Sequence, residues 1–324
     1  MKNYRCLVAT ALVAAFAAVS PAQAQDYPSR LVRLVLPQAA GGGTDTFARA
    51  IGQKLSERWG QSVVIENRPG AGGVVGTDFV AKSAPDGYTL LVTYEGSQAI
   101  NQRLYEKLPF DSLTDFYPVA TIAGTPFLLI VGPRVEAKTL KGFISFARAN
   151  PDRLTYGSAG NGSVNHLLGE MLKTEADIHV AHIPYKGAPA AIADVIGGHI
   201  DAAFASMPSV ISSVQSNVVR ALAVSSAKRV AVAPDIPTIA EAGFEKFDVN
   251  PWWGILAPAG ISTSIAQKIS ADIADILKTP DMEEVLAKQG ATPLISSPEA
   301  FRNLLAKDIE KWKKVVKTSG ATVN

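Results

Sequence analysis

The feature that most constrains the fold is an alternation of short apolar runs with segments of helical periodicity. The run "LVRLVL" at 31–36, for example, is followed beyond a glycine-rich turn by "FARAIGQKL" at 47–55. Such alternation is typical of α/β domains with a mainly parallel sheet. Strands are predicted at 31–36, 63–66, 88–94, 127–131, 154–156, 180–183, 202–204, 220–224 and 254–256, and helices at 44–59, 74–83, 140–149, 163–174, 188–196 and 262–278. The last 45 or so residues are also predicted to be helical, with an interruption at 290–299 and a closing helix that begins at Pro298.

Two stretches are predicted to cross between domains, because each holds an apolar strand bracketed by Gly and Pro. They lie at 121–133 and 245–260. A chain of 324 residues is long enough for two domains. The first lobe would then be discontinuous, at 25–125 plus 248–324, and the second would span 126–247. The predicted fold class is α/β, with two mainly parallel sheets flanked by helices and a ligand cleft between the lobes.

Residues 1–24 have the three-part pattern of a signal peptide. Lys2 and Arg5 make a basic start, 7–19 are apolar, and 22–24 form an A-x-A cleavage site. An uncleaved membrane anchor is the alternative, but the apolar run is short for a bilayer span. We therefore expect export, with a mature chain that begins at Gln25.

Charge and cysteine content exclude several classes of function. The formal net charge is +2, but without Lys2 and Arg5 the chain has 29 basic and 29 acidic residues. That balance lacks the basic surplus of a nucleic-acid-binding protein. Cys6 is the only cysteine and lies in the signal, so the mature chain has no thiol for catalysis, metal binding or a disulfide.

The turn "PQAAGGGTDT" at 37–46 indicates close approach of a ligand to the backbone. Three consecutive glycines are costly to order, and a strand followed by a helix start leaves N–H groups without partners. Together with the helix dipole, this arrangement binds anions. A tight turn capped by Thr44 or Asp45 is the alternative. The candidate binding residues are Gly42, Gly43, Thr44 and Asp45.

Three further turns repeat the pattern. "YGSAGNGSVNHLLGE" at 156–170 lies in the other predicted lobe and supplies hydroxyl, amide and N–H donors. Shorter versions occur at 94–98 and 184–189. The additional candidates are Gly96, Ser97, Ser158, Ala159, Gly160, Asn161, Ser163, His166, Tyr185, Lys186 and Gly187, with Phe204, Trp252 and Trp253 as possible apolar walls. The alternative is a solvated surface position for Lys186, a buried structural role for His166 and core packing for the aromatic residues.

Enzymatic chemistry has weak support in the sequence. "GAGGVVG" at 70–76 fails the spacing of a dinucleotide-binding loop, and no G-x-S-x-G motif occurs. His179 and His182 are three apart on a predicted strand, so they point to opposite faces and do not suit a shared metal. No catalytic residue, cofactor or metal site is predicted. A hydrolase that uses Ser158 or Ser163 is the competing class.

With these motifs in view, the chain resembles the substrate-binding proteins of tripartite tricarboxylate transporters, also called the Bug family of solute receptors. The resemblance covers essentially all of the chain after the signal. It rests on seven stretches in order, at 41–49, 63–91, 154–170, 182–204, 220–229, 235–244 and 252–260.

The resemblance implies a two-lobed periplasmic binding protein of the type II-like class that is not an enzyme. It implies lobe closure on a small carboxylate, most simply an aliphatic or aromatic dicarboxylate, held by backbone and hydroxyl donors. The implied partners are that ligand and the membrane subunits of a tripartite tricarboxylate transporter, with a monomeric receptor and no nucleic acid. A sensory module that is not coupled to transport is the other reading.

Three departures from the family pattern concern the ligand. Ala205-Ser206 stands where many relatives have Asp-Asn, and loss of that acidic group argues against an amino-acid ligand. Gln38 replaces an aromatic residue or proline near the cleft entrance. Tyr94-Glu95 replaces a smaller, more neutral pair, and Glu95 would repel a carboxylate unless it points away. Ala205 and Ser206 complete the candidate site.

Overall fold

The computed structural model describes residues 27–245 and 247–319. The predicted signal peptide at 1–24 lies outside these residues. The described chain forms two sheets, each covered by helices, which define lobe 1 (the six-stranded sheet) and lobe 2 (the five-stranded sheet). Among the helices of the described residues, none combines the length and the apolar character needed to cross a membrane.

Lobe 1 draws its strands from both ends of the chain. Their order across the sheet is β11-β4-β10-β3-β1-β2. The strands are β1 (Val32–Leu36), β2 (Val63–Asn67), β3 (Thr89–Tyr94), β4 (Phe116–Gly124), β10 (Trp252–Pro258) and β11 (Thr292–Pro293).

Lobe 2 uses the middle of the chain, with the strand order β7-β6-β8-β5-β9. The strands are β5 (Phe127–Val131), β6 (Thr155–Ser158), β7 (Ala181–Pro184), β8 (Ala202–Ser206) and β9 (Arg220–Val224). The predicted boundaries at 125/126 and 247/248 stay predictions, and they fall between β4 and β5 and between β9 and β10.

The predicted α/β fold with two helix-flanked sheets is confirmed, but both sheets are mixed, with fewer parallel pairs than the sequence predicted. β10 is antiparallel to β3 and β4, and β5 is antiparallel to β8 and β9, while β1, β2 and β3 pair in parallel, as do β6, β7 and β8. The reason is topological. β5 and β10 are the first strands after each crossing. Each begins beside the carboxyl ends of the parallel strands, so it runs back in the opposite direction.

The helices fill the connections and agree closely with the predicted ones. They are α1 (Gly43–Trp59), α2 (Val74–Ala81), α3 (Asn101–Leu104), α4 (Leu140–Ala149), α5 (Val164–Ala176), α6 (Ala188–Ile196), α7 (Met207–Gln215), α8 (Thr263–Leu277), α9 (Pro280–Lys288) and α10 (Pro298–Ser319). The prediction missed α7, β11, most of β4, and the helical segment made of a π-helix at Gly96–Ile100 and α3.

Period-2 patterning divides the core of lobe 2 between its two faces. Leu128 and Ile130 of β5 pack in one apolar cluster with α6 and α7 residues. Phe127, Leu129 and Val131 face the opposite side and join a larger cluster that continues into lobe 1. Because successive residues of a strand point to opposite faces, a fully buried strand such as β5 must be apolar throughout.

Candidate functional site

A cavity of about 580 Å³ lies between the lobes. Its wall is built mainly from loops that follow the carboxyl ends of β1, β2, β6, β7 and β8, the edge at which open α/β sheets bind ligands. The lining residues are 37–39, 42–44, 69–73, 159–161 and 184–189, together with Tyr94, Tyr105, Phe127, Ser163, Asn165, Ser206 and Trp253.

Four helices from the two lobes begin at this cavity. The residues before their first turns are Gly42 for α1, Ser163 for α5, Gly187 for α6 and Ser206 for α7, and all four line the wall. Of these four residues only Ser163 makes a side-chain cap, by accepting from the His166 N–H. The first N–H groups of the other three helices therefore lack a capping side chain. The cavity is surrounded by donors and by the positive ends of helix dipoles.

The side chain of Thr44 adds a hydroxyl donor to α1. Its Oγ1 accepts a hydrogen bond from the Trp253 Nε1 at 3.0 Å. Because the indole occupies an acceptor site of the hydroxyl, the hydroxyl proton is left to point elsewhere. Thr44 is 4 % exposed and lines the cavity, so an acceptor bound there is its natural partner.

Gly43 is a point in the cavity wall at which the two lobes lie close together. A Cβ at Gly43 would lie 2.7 Å from Ser206 Oγ and 3.5 Å from Trp253 Cζ2. A second cross-lobe approach occurs at Gly187, where a Cβ would lie 3.1 Å from the Ala39 methyl group. The structure is therefore a closed arrangement of the two lobes.

The turn after β6 presents its backbone to the cavity and its side chains to the protein. Ser158 is 1 % exposed, and its Oγ contacts His182 Nε2 at 2.7 Å. Ser163 donates to the Gly160 carbonyl at 2.7 Å. Gly160 has φ +117°, a backbone conformation that favours glycine. Ala159, Gly160 and Asn161 are thereby left facing the cavity.

Two stacked histidines support this turn from behind. The rings of His166 and His182 stack with centroids 4.0 Å apart, and the Gly162 N–H donates to His166 Nδ1 at 2.9 Å. Burial, with a further contribution from His166, lowers the pKa of His182 to about 4. Burial also lowers the pKa of His166. Both rings are therefore neutral at neutral pH, and the Gly162 N–H requires Nδ1 of His166 to be unprotonated.

Asp45 lies beside the cavity wall but outside it. Its carboxylate accepts from the Gly41 N–H at 3.1 Å, from Arg49 Nε at 2.9 Å and from Asn67 Nδ2 at 3.2 Å. Burial acts to raise its pKa, but these hydrogen bonds hold the pKa below the usual range for aspartate. Asp45 therefore fixes the turn at 41–43 and stays charged while doing so.

The candidates at the end of β3 also lie behind the wall. Gly96 and Ser97 belong to the π-helix and are buried beneath Tyr94 and Gln38. Glu95 is 3 % exposed and points away from the cavity into α10, where it accepts from Trp312 Nε1. Burial raises the pKa of Glu95 to about 7, although the charge of Lys311, whose Nζ lies 3.6 Å away, acts to lower it. The repulsion anticipated from Glu95 is absent because of this orientation.

Positive charge in the wall is limited to one side chain. Lys186 is exposed and is the only charged residue among the described residues that line the cavity. Burial of the neighbouring Tyr185, together with its hydrogen bond to Asp194 Oδ2 at 2.5 Å, raises the pKa of Tyr185 to about 12. An anion here would be held mainly by hydrogen bonds and helix dipoles.

An aromatic stack forms the apolar side of the cavity. Trp253 lies between Tyr94, at 5.8 Å between ring centroids, and Phe127, at 6.4 Å. The stack joins β3, β10 and β5 and so bridges the lobes. Phe204 and Trp252, the other predicted walls, pack instead against Phe247 and Phe301 in the core.

The structure brings eleven of the seventeen predicted residues to one cavity. Those that line it are Gly42, Gly43, Thr44, Ala159, Gly160, Asn161, Ser163, Tyr185, Lys186, Gly187 and Ser206. Those that lie behind or beside it are Asp45, Gly96, Ser97, Ser158, His166 and Ala205. Ala205 faces the apolar cluster of α6 and α7, because it alternates with Ser206 along β8.

Sequence reasoning missed the turn at 69–73, which lines the cavity between β2 and α2. Asn101 and Tyr105 anchor it, by donating to the carbonyls of Gly72 at 2.9 Å and Ala71 at 2.8 Å. The sequence pattern that could have identified it is the same as for the other turns, because it is a glycine-rich turn between a strand and a helix.

The site does not have the arrangement of a serine hydrolase. Ser158 and His182 form a serine–histidine pair, but Ser158 is buried outside the cavity. Ser163 reaches the cavity, but its hydroxyl is used by Gly160 and by the His166 N–H. In the part of the chain that the structure describes, no group of three or more His, Cys, Asp or Glu residues could hold a metal ion.

Comparison with known proteins identifies the family. The profile of the tripartite tricarboxylate transporter family receptor matches residues 47–321. Protein BugT of Bordetella pertussis is 36% identical over 315 residues, which cover 97% of this chain and 95% of that protein. A protein encoded in the tcbD-tcbE intergenic region of Pseudomonas sp. strain P51 is 34% identical, with coverage of 96% and 93%.

Solved structures give the same result. R. palustris Rpa4515 with adipate has a TM-score of 0.89 and 36% identity, covering 92% of this chain and 99% of that chain. MatC from Rhodopseudomonas palustris with bound malate has a TM-score of 0.84 and 32% identity, with coverage of 90% and 100%. PhnD1 from Prochlorococcus marinus, at 12% identity and a TM-score of 0.54, shares the fold alone. This chain belongs to the tripartite tricarboxylate transporter receptor (Bug) family, whose members are periplasmic solute-binding receptors and not enzymes.

Proposed function

We propose that this protein binds a small dicarboxylate in the cavity between its lobes and delivers it to a membrane transporter of the tripartite tricarboxylate type. The observation that carries the proposal is the convergence of four helix N-termini, two of them capped by glycine, on one cavity. N–H groups and dipoles at helix starts select for negative charge. The donors come from both lobes, so one anion can hold the closed state together.

The relatives support a dicarboxylate in particular. Rpa4515 and MatC are described with adipate and with malate, which both carry two carboxylates. In the cavity of this chain one carboxylate would meet the first turns of α1 and α7, and the other would lie toward Lys186 and Asn161. The proposed contacts are the eleven lining residues of the predicted set together with the turn at 69–73.

A binding screen tests the ligand class. Purified protein is compared by thermal unfolding and calorimetry against C4 to C8 dicarboxylates, citrate, acidic amino acids and aromatic acids. A ligand present at a hundred times its Kd should add about 2.7 kcal/mol to the free energy of unfolding. A chain stabilised by none of the acids would not be a carboxylate receptor.

Delivery to a transporter is tested separately from binding. Cells that lack this chain should lose uptake of the ligand identified by the screen, and a chain that cannot close should fail to restore it. Normal uptake without the chain would support the sensory reading instead. Periplasmic location follows from the family and from the predicted signal peptide, and N-terminal sequencing of the exported protein should begin at Gln25. A monomer is expected from light scattering.

A further inference from the structure

Gln38 is a polar residue of the cavity wall that anion binding does not use. It follows β1 at the carboxyl end of that strand and lines the cavity. Its backbone carbonyl accepts from Asn67 Nδ2 at 3.2 Å, and its side-chain Nε2 donates to Ser97 Oγ at 2.6 Å. One end of the side-chain amide is therefore tied to the protein.

The surroundings hold the amide in this place. A Cβ at Gly73 would lie 2.8 Å from Ser97 Oγ and 3.4 Å from Gln38 Nε2, so the amide lies directly against the backbone of the turn at 70–73. Gly73 has φ +95°, which favours glycine independently of the space. Ser97 is 1 % exposed, so water does not compete with the Gln38 amide for its hydroxyl group. The fold thus positions the amide of Gln38 at the junction of two ligand-facing turns.

The other end of the amide has no partner. Gln38 Oε1 is buried and accepts no hydrogen bond from any residue that the structure describes. A buried acceptor without a donor is unfavourable, and it becomes favourable when a ligand supplies the donor. Neighbouring wall residues offer donors to a carboxylate, whereas this atom requires a donor from the ligand.

We propose that Gln38 determines ligand specificity by hydrogen bonding a hydroxyl group on the carboxylate ligand. The inference rests on the proposed function and extends it, because it concerns the part of the ligand between or beside its carboxylates. A hydroxyl suits the site in either orientation of the amide. Oε1 is closed to solvent in this structure, so a turn of the terminal torsion brings the amide to the ligand, whose hydroxyl then donates to Oε1 or accepts from Nε2. The terminal torsion of glutamine is soft enough to allow either.

The test compares acids that differ by one hydroxyl. Calorimetry is run with succinate and malate, with adipate and 2-hydroxyadipate, and with terephthalate and 2-hydroxyterephthalate. In at least one pair the hydroxylated acid should bind about tenfold more tightly, since a satisfied buried acceptor contributes at roughly that level. Gln38→Met keeps the length of the side chain but removes the amide, and it should abolish the preference while the plain acid still binds.

Gln102→Met is the matched control. Gln102 Nε2 donates to Ser112 Oγ at 3.0 Å, which copies the Gln38–Ser97 contact at a place outside the cavity. This variant should keep the full preference. Thermal unfolding of both variants checks that they fold, and the paired comparison on the unsubstituted protein tests the idea without any variant.

The outcomes separate the two proposals. Equal affinity for both members of every pair would overturn the role of Gln38 and leave carboxylate binding intact. A preference that survives Gln38→Met would do the same. If no acid of the set or of the wider screen binds, the proposed function fails and this inference fails with it.

Discussion

At the residue scale, Gly43 decides whether the lobes can meet. Its φ is unremarkable for any residue, so the requirement for glycine comes from the partner lobe and not from the turn itself. The Ser206 hydroxyl occupies the space that a side chain at 43 would need. Gly160, in contrast, combines φ +117° with a nearby carbonyl of Tyr185, so its requirement is mainly local.

We expect Gly43→Ala to weaken ligand binding at least tenfold while the free protein unfolds at nearly the same temperature. The added methyl group would lie 2.7 Å from Ser206 Oγ and would hold the lobes apart, but it touches little within its own lobe. Calorimetry and thermal unfolding measure the two effects. The double variant Gly43→Ala with Ser206→Ala should recover part of the affinity, and Gly142→Ala on α4 serves as a remote control. Normal binding by Gly43→Ala would mean that closure leaves more room here.

Lys186 is expected to assist capture more than to hold the ligand. Because its side chain is exposed, its attraction to an anion is screened, and such contacts contribute at most about 1 kcal/mol. Lys186→Met should therefore raise Kd by no more than about fivefold and should reduce the salt dependence of the association rate. Stopped-flow binding at low and high salt measures this. A hundredfold loss would show that Lys186 is desolvated against the ligand.

At the element scale, the start of α5 depends on the neutral histidine pair. His182 has a pKa of about 4 in the folded protein and an ordinary value near 6.5 when unfolded. As the pH falls from 6.5 to 4, His182 therefore takes up a proton in the unfolded chain before it does so in the folded chain. The stabilising effect is present above about pH 6.5 and is lost as the pH falls toward 4. Lys173 and Glu170 are the charged groups that face the pair.

We expect the melting temperature to fall as the pH is lowered from about 6.5 to 4, and to fall less steeply in His182→Gln. The comparison concerns slopes, so a general loss of stability in the variant does not affect it. His199→Gln, outside the pair, should keep the slope of the unsubstituted protein. Identical slopes for all three proteins would remove the histidines from the acid response.

The contact between α10 and the end of β3 should depend on pH in the opposite direction, because it should stabilise the protein less as the pH rises. Glu95 has a folded pKa of about 7, above its ordinary value, so the folded protein keeps it neutral at pH values where the unfolded chain is ionised. Its contribution is present below about pH 4.5 and is lost as the pH rises through 7. Trp312, Lys311 and Asp308 of α10 face this carboxyl group.

Glu95→Gln should therefore flatten the loss of thermal stability between pH 5 and 8. Glu310→Gln, on the same helix but exposed in its pair with Arg103, should not. Melting temperatures across this range decide the matter. An unchanged slope in Glu95→Gln would show that Lys311 keeps the carboxyl group charged.

At the scale of the whole molecule, the two crossings between lobes are joined to each other. The Thr125 N–H donates to the Pro251 carbonyl at 3.1 Å, and Ser225 Oγ donates to the Val249 carbonyl at 2.6 Å. Ser225 Oγ also accepts from the Phe127 N–H at 2.9 Å. Paired crossings of this kind allow rotation of one lobe against the other about a single region.

Ligand binding should make the molecule more compact without a change in secondary structure. Small-angle scattering of the unsubstituted protein should show a smaller radius of gyration with saturating ligand than without it. Gly43→Ala should show little change at the same ligand concentration, because its lobes cannot meet. An identical radius with and without ligand would mean that the cavity is closed at all times.

Most of the elements and the positions of the glycine turns could be predicted from the sequence. Strands β5 and β9 and helices α4 and α6 have the predicted bounds. They depend on periodicity within a few residues of chain, which a sequence displays directly. The glycine turns at 41–43 and 159–162 were recognisable for the same reason, since each lies between a strand and a helix.

Only the tertiary structure decided which side chains of those turns reach the cavity and how the sheets are assembled. Asp45, Ser158 and His166 have the right chemistry and the right turn, but partners distant in sequence or on the protein side of the turn hold them behind the wall. The antiparallel entry of β5 and β10 likewise depends on where each crossing delivers the chain. Local patterning determines the elements because it acts over short stretches of chain. The face that an element turns to the ligand is determined by packing between residues that can be more than two hundred positions apart, as in the contact of Thr44 with Trp253.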